Sequence, residues 1–211
     1  MTRVKICGIK RVETLALLKK LGVDYVGFVF APSKRQVDGP TAKSLLSQVP
    51  EHPPAVGVFV NPTLQELDDL LADVPLAVIQ LHGQETPEYC QQVKARYSLP
   101  VWKALAVGGE EDAAAEIARY AGSVDAYLFD TYDPSQAGGT GKRFSWEQIP
   151  QLQEACQEKT CIIAGGINTE NVSELINRYQ AGMIDVSSGV ETDGEKDAEK
   201  IKTLVERVKG A

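Results

Sequence analysis

The chain has 211 residues, of which 43% are hydrophobic and 24% charged, and this composition is ordinary for a globular protein. Its net charge of -7 argues against binding to nucleic acid or to anionic membranes, because both attract a surplus of positive charge. We expect neither kind of partner, and we expect a monomer rather than a homodimer.

Eight short runs rich in Val, Ile, Phe and Ala have the length and β-branched content typical of strands. In chain order they span 3–7, 24–30, 55–60, 77–82, 101–107, 125–130, 161–166 and 183–189. Segments with helical spacing lie between them. One helix is predicted after a capping box from Thr63 to Glu66, another after Thr86-Pro87, and the last ends before Gly210.

Regular alternation of strand and helix, with about 26 residues per unit, is the minimal layout of a closed parallel (β/α)8 TIM barrel. The fold class is therefore α/β, and an open doubly wound sheet is the alternative. No linker or low-complexity stretch interrupts the chain, so we expect one domain over residues 1–211.

The four cysteines are Cys7, Cys90, Cys156 and Cys161, and they form no C-x-x-C pair. The N-terminus shows no signal-peptide pattern, and no apolar stretch of about 20 residues occurs. We expect a cytoplasmic protein with free thiols and, with only two histidines, no metal site. Except for Cys7, we expect these cysteines to be buried packing residues.

In a TIM barrel the active site lies where the strands end at their carboxyl side. Polar or glycine residues stand at many of these ends: Cys7, Ser33, Lys34, Arg35, Gln80, His82, Asp130, Gly165, Gly166, Ser187, Ser188 and Gly189. Strand alternation predicts that Val4 and Ile6 face the helices while Lys5 and Cys7 face the barrel axis. By the same rule we expect Lys103 and Asp185 to point inward beside Lys5.

The glycine-containing ends of the last two strands predict a phosphate site. Backbone N–H groups at Gly165, Gly166, Ser188 and Gly189 can approach an anion closely, and a short helix beginning near Ser188 would add its positive dipole end. Barrel phosphate sites are commonly built from these two loops. The alternative is that the glycines only make tight turns.

Short segments spread along the chain carry a family resemblance: KICGI, GVDYVGFVF, SKR, GVFVN, QLHG, LFDT, GGTGKRFSW, AGGIN, ENV, IDVSSGVE and GEKD. Together, in order from residue 3 to about residue 197, they resemble the phosphoribosylanthranilate isomerases of tryptophan biosynthesis. The resemblance implies a cofactor-free Amadori rearrangement of a small phosphorylated substrate. It also implies that Cys7 is the general base and Asp130 the general acid.

The chemistry explains why such a pair is needed. Opening the sugar ring requires a proton on the ring oxygen, and the next step removes a proton from C2. Asp130 follows an apolar strand, where partial desolvation favours the acid form. A free thiol has a pKa near 8.5, so only a small fraction of Cys7 would be thiolate at neutral pH. A neighbouring cation such as Lys5 would lower that pKa, and the alternative is that Lys5 reaches Asp185 instead.

The remaining expected contacts are with the substrate. Arg35 is the candidate for the anthranilate carboxylate, because a guanidinium pairs with it in a bidentate way; an exposed surface arginine is the alternative. Gln80, His82 and Asp185 are further substrate-binding candidates, with His82 in the wall of the site. The segment containing Gly139, Thr140 and Gly141 lacks Walker spacing, and we interpret it as a mobile substrate-binding loop.

Two other functions stay open. One is the isomerase of histidine biosynthesis, which performs the same chemistry with two aspartates and would be expected to end its first strand on Asp rather than Cys7. The other is a catalytically silent barrel that binds a phosphorylated ligand. Retention of both Cys7 and Asp130 speaks against it, because binding alone needs no proton carrier.

Overall fold

A closed barrel of eight parallel strands forms the centre of the computed structural model, which describes residues 2–108, 113–131 and 144–210. Neighbouring strands follow chain order, and the last pairs with the first. They are β1 Arg3–Cys7, β2 Tyr25–Val29, β3 Ala55–Phe59, β4 Val78–Leu81, β5 Val101–Val107, β6 Ala126–Thr131, β7 Thr160–Ile163 and β8 Met183–Val186. The predicted barrel is confirmed, and the alternative of an open sheet is wrong.

Helices in the described parts of the chain surround the barrel. They are α1 Val12–Lys20, α2 Gly39–Gln48, α3 Leu64–Leu71, α4 Pro87–Tyr97, α5 Ala113–Tyr120, α6 Ile149–Cys156, α7 Val172–Tyr179 and α8 Ala198–Lys209. The predicted capping box at Thr63 is present, since its hydroxyl accepts from the Glu66 N–H and the Glu66 carboxylate accepts from the Thr63 N–H. Thr86 caps α4, whose first residue is Pro87.

Strand side chains alternate between two apolar cores. The core inside the barrel contains Val56, Val78, Trp102, Ala104, Ala126, Leu128, Ile162, Ala164 and Met183. A larger core between strands and helices contains Val4 and Ile6, so their predicted outward orientation is confirmed. Lys5 lies on the opposite face of β1, where its side chain is fully buried.

Lys103 points away from the barrel axis, so its predicted inward orientation is wrong. Its neighbours Trp102 and Ala104 belong to the inner core, and Lys103 pairs on the outer side with Glu85 at 3.1 Å, both side chains being 2% exposed. Because both faces of a barrel strand are buried and apolar, alternation along β5 does not reveal which face is inside.

The last two barrel strands end earlier than predicted. Gly165 and Gly166 follow β7 with φ of 78° and 65°, and this left-handed backbone cannot continue a strand. After β8 the chain makes a single 3-10 turn, Ser188–Val190, and then a small hairpin of β9 Glu191–Thr192 and β10 Glu195–Lys196. The predicted short helix near Ser188 is thus present as one turn.

Candidate active site

A cavity of about 680 Å³ lies at the carboxyl end of the barrel. The structure brings most of the predicted site residues to its walls: Cys7, Arg35, Gln80, His82, Asp130, Gly165, Gly166, Asp185 and Ser188. Gly189 lies beside them in the turn after β8. The predicted substrate-binding residues Gly139, Thr140 and Gly141 fall outside the described residues.

Two glycines make room around Cys7. In the parallel register of β1 and β2, Cys7 lies opposite Gly27, and a Cβ at Gly27 would stand 2.7 Å from the Cys7 Sγ. Gly8 follows with φ 84°, and a Cβ there would stand 2.6 Å from the Cδ of Arg35. The Cys-Gly pair therefore allows the thiol and the arginine stem to share one corner of the cavity.

The environment of Cys7 contains opposing influences on its ionisation. Burial raises the pKa of the Cys7 thiol above its ordinary value, and the nearby positive charges of Lys5 and Lys196 only partly offset this effect. The expected help from Lys5 is present, but Lys5 also reaches Asp185, with 2.7 Å between Lys5 Nζ and Asp185 Oδ2. Lys5 therefore both lowers the pKa of Cys7 and pairs with Asp185, the two possibilities that the sequence left open.

A line of polar contacts crosses the cavity floor from β8 to β6. The Lys5 ammonium group donates to Asp185 and, at 2.9 Å, to the side-chain oxygen Oε1 of Gln80. The Gln80 amide nitrogen lies 3.1 Å from His82 Nδ1, and His82 Nε2 lies 3.5 Å from Asp130 Oδ2. Because the Gln80 Nε2 can only donate, His82 Nδ1 accepts, and in the neutral ring the proton is on Nε2, facing Asp130.

The loops after β7 and β8 pack tightly around their glycines. A Cβ at Gly165 would stand 2.8 Å from Asp130 Oδ1, and one at Gly189 would overlap the Ile167 carbonyl oxygen. Among the described residues, none accepts a hydrogen bond from the backbone N–H of Gly166, Ser188 or Gly189. These free donors at the cavity wall are suited to an anion.

Arg35 is buried, at 8% exposed, so the alternative of an exposed surface arginine is wrong. It binds Glu191 through two parallel hydrogen bonds, Nε to Oε1 at 2.7 Å and Nη2 to Oε2 at 2.8 Å. Lys196 contacts the same carboxylate at 2.7 Å. Sequence reasoning missed Glu191 and Lys196 as site residues, and the only signal for them was their place in the quoted segments IDVSSGVE and GEKD.

Comparison with known proteins assigns the chain to one enzyme family. Residues 4–207 match the family model described as N-(5'-phosphoribosyl)anthranilate (PRA) isomerase. The chain belongs to the phosphoribosylanthranilate isomerase family. The N-(5'-phosphoribosyl)anthranilate isomerase of Brevibacillus brevis is 74% identical over 99% of this chain and 94% of its own length.

Solved structures of the phosphoribosylanthranilate isomerase family superpose along the whole chain. Monomers generated from the dimeric enzyme of Thermotoga maritima give a TM-score of 0.85 at 36% identity, with 100% of both chains covered. A structure of a family member in complex with reduced 1-(o-carboxyphenylamino)-1-deoxyribulose 5-phosphate gives 0.85 at 34% identity, again with 100% of both chains covered. The family assignment made from the sequence motifs is confirmed.

Three further observations concern the described parts of the chain. None of their helices is long and apolar enough to cross a membrane. No group of three or more His, Cys, Asp or Glu side chains among them is placed to hold a metal ion. Their cysteines are free thiols, and Cys90 and Cys156 are buried as expected, whereas Cys161 is partly exposed.

Proposed function

We propose that this isomerase converts N-(5-phosphoribosyl)anthranilate into 1-(2-carboxyphenylamino)-1-deoxyribulose 5-phosphate in tryptophan biosynthesis, with Cys7 as general base and Asp130 as general acid. The roles follow from the family resemblance, and one observation supports the choice of this pair. Cys7 ends β1 and Asp130 lies at the end of β6, so the two groups line one cavity from separate walls, with β7 and β8 between them. A substrate in that cavity can receive a proton on one side and lose one on the other.

The first step opens the sugar ring. Asp130 donates its proton to the ring oxygen, the bond from C1 to that oxygen breaks, and the nitrogen lone pair forms the C1=N bond of the Schiff base. Asp130 Oδ1 accepts the Thr131 N–H at 2.8 Å, which leaves Oδ2, the oxygen nearer His82, to deliver the proton. His82 is 17% exposed and helps to hold this carboxyl in position.

The second step moves the double bond. The Cys7 thiolate removes the proton from C2, the electron pair forms the C1=C2 bond, and the C1=N electrons return to nitrogen, giving an enolamine. Transfer of the C2 hydroxyl proton to C1 then yields the ketone. Solvent takes the proton from Cys7 and returns one to Asp130. Only protons are transferred, so no cofactor is required for the chemistry.

The other cavity residues hold the two charged ends of the substrate. The backbone donors of Gly165, Gly166, Ser188 and Gly189 take the phosphate, and Arg35 takes the anthranilate carboxylate. Asp185 is among the residues that line the cavity, and its carboxylate accepts from a ribose hydroxyl. Gln80 holds Lys5 and His82 at the cavity floor, and Gly139, Thr140 and Gly141 complete the substrate contacts.

We further propose that the protein acts as a monomer in the cytoplasm. The two proposed proton carriers, Cys7 and Asp130, line one cavity of a single barrel. The phosphorylated substrate is charged and does not cross a membrane unaided. Size-exclusion chromatography with light scattering would test the monomer directly, and a stable dimer would contradict it.

The reaction is tested by supplying its substrate in place. Anthranilate and phosphoribosyl pyrophosphate are mixed with the transferase that joins them, this protein is added, and the aminoketose product is measured by chromatography. Asp130→Asn should lower turnover by roughly 10²- to 10⁴-fold, as loss of a general acid does. Asp69→Asn, an exposed position on α3, is the matched control. Absence of product with the wild-type protein would refute the function, and undiminished turnover by Asp130→Asn would refute the role of Asp130.

A further inference from the structure

The small hairpin after β8 carries two buried charged side chains that the reaction itself does not use. Glu191 and Lys196 stand in β9 and β10, and their side chains are 6% and 5% exposed. Buried charges are costly unless they are paired and hydrogen-bonded. Glu191 and Lys196 form an ion pair with each other, and Glu191 forms a second one with Arg35.

The contact between Arg35 and Glu191 uses one edge of the guanidinium group. Nε and Nη2 each donate to a different oxygen of Glu191, and no described residue accepts from Nη1. A guanidinium has five N–H donors in one plane, so a second carboxylate can bind at the free end while the first edge stays occupied. Arg35 is among the residues that line the cavity.

We propose that Glu191 is a positioning residue that fixes the guanidinium plane of Arg35, so that its free end recognises the aromatic carboxylate of the substrate. The inference rests on the proposed function, in which Arg35 binds that carboxylate. Two-point binding by Glu191 removes the rotation of the guanidinium group in advance, and a pre-oriented group loses less freedom when the ligand binds. The absence of a side chain at Gly8 leaves room for the arginine stem beside it.

Lys196 completes the arrangement through charge. Arg35, Glu191 and Lys196 together carry one net positive charge, so the cluster attracts an anionic ligand although it contains a carboxylate. Lys196 also donates to the Ser187 carbonyl oxygen at 2.9 Å, and the Ser187 hydroxyl donates to the Cys7 carbonyl oxygen at 3.1 Å. The hairpin is thereby attached to the ends of β8 and β1, beside the proposed base.

Glu191 remains ionised over the working pH range. Burial favours its neutral form, but the hydrogen bonds from Arg35 and Lys196 outweigh burial and lower the pKa of Glu191 to about 2. Replacing it with glutamine therefore removes a permanent charge and one of the two parallel hydrogen bonds while keeping the shape of the side chain.

The test uses two probes and needs no turnover. They are reduced 1-(o-carboxyphenylamino)-1-deoxyribulose 5-phosphate and the same molecule without its aromatic carboxylate, with dissociation constants measured by calorimetry. Glu191→Gln should raise the dissociation constant of the carboxylated probe by about tenfold or more, as expected for loss of a hydrogen bond to a charged group. Binding of the probe without the carboxylate should change by no more than about twofold. Glu191→Asp, which keeps the charge but withdraws the carboxylate, should show a smaller loss of the same selective kind.

The chain offers a matched control. Arg96 on α4 binds Asp68 on α3 through the same fork, Nε to Oδ1 at 2.9 Å and Nη2 to Oδ2 at 2.6 Å. This pair is absent from the cavity walls, so Asp68→Asn should leave the binding of both probes unchanged.

Three outcomes would overturn the inference. If Glu191→Gln weakened the binding of both probes equally, Glu191 would only support the fold. If it weakened the binding of neither probe, Arg35 would be positioned without Glu191. If wild-type protein did not prefer the carboxylated probe, the role of Arg35 and this inference would fall together. Product formation by wild-type protein is measured separately, so a failed inference remains distinguishable from a failed function.

Discussion

Substituting Gly27 by alanine tests whether the position of Cys7 controls turnover. Gly27 lies on β2 opposite Cys7. Its φ angle is not positive, so alanine can adopt its backbone conformation. The added Cβ would stand 2.7 Å from the Cys7 Sγ and 3.0 Å from its Cα. Ordinary contacts begin near 3.4 Å, so the thiol or the strand must move by about 0.7 Å.

Two effects of this movement can be estimated. Overpacking by one methyl group costs about 1–3 kcal/mol, which corresponds to a fall in Tm of about 2–12 °C for a chain of this size. A displacement of about 1 Å in a catalytic group lowers turnover by roughly 10²-fold. We therefore expect Gly27→Ala to fold with reduced stability and to lose one to two orders of magnitude in kcat/KM.

Gly57→Ala separates the two effects. Gly57 lies on the neighbouring strand β3, where a Cβ would stand 2.8 Å from Phe59 and still closer to Leu76 in the outer core. The same methyl group should therefore cost similar stability without touching Cys7. Thermal unfolding and steady-state kinetics are measured for both variants. If Gly27→Ala kept kcat/KM within about twofold of Gly57→Ala, the idea that turnover depends on the placement of Cys7 would be refuted.

Three further changes have expected outcomes. Cys7→Ser should keep the circular dichroism spectrum and lose roughly 10²- to 10⁴-fold in turnover; retention of most activity would exclude Cys7 as the base. Lys5→Met should move the rise of kcat/KM with pH to higher pH, because loss of the nearby positive charge raises the pKa of Cys7 further; an unchanged profile would exclude this influence. Lys103→Met removes the cation paired with the buried carboxylate of Glu85 and should cost about 3–5 kcal/mol in urea unfolding. Lys43→Met, which breaks an exposed pair, should cost at most about 1 kcal/mol, and equal losses would contradict the importance of burial.

The sequence by itself determined the barrel and the location of its cavity. Strand and helix periods alternate along the chain, and parallel strands joined by helices have few ways to pack. The strands of a parallel barrel end on the same side. Residues far apart in sequence, such as Cys7 and Asp130, could therefore be predicted to line the same cavity. The roles of these two residues came from the family resemblance and remain proposals.

Only the tertiary structure decided which polar groups meet. Lys103 faces outward although its strand pattern fits either face, because in a closed barrel both faces are buried. Arg35 meets Glu191 from 156 positions away in the chain, through a hairpin whose strands of two residues each are too short to leave a periodic signal. Local patterns specify local backbone and strand ends, whereas the pairing of distant charges depends on how the loops fold back over the barrel mouth.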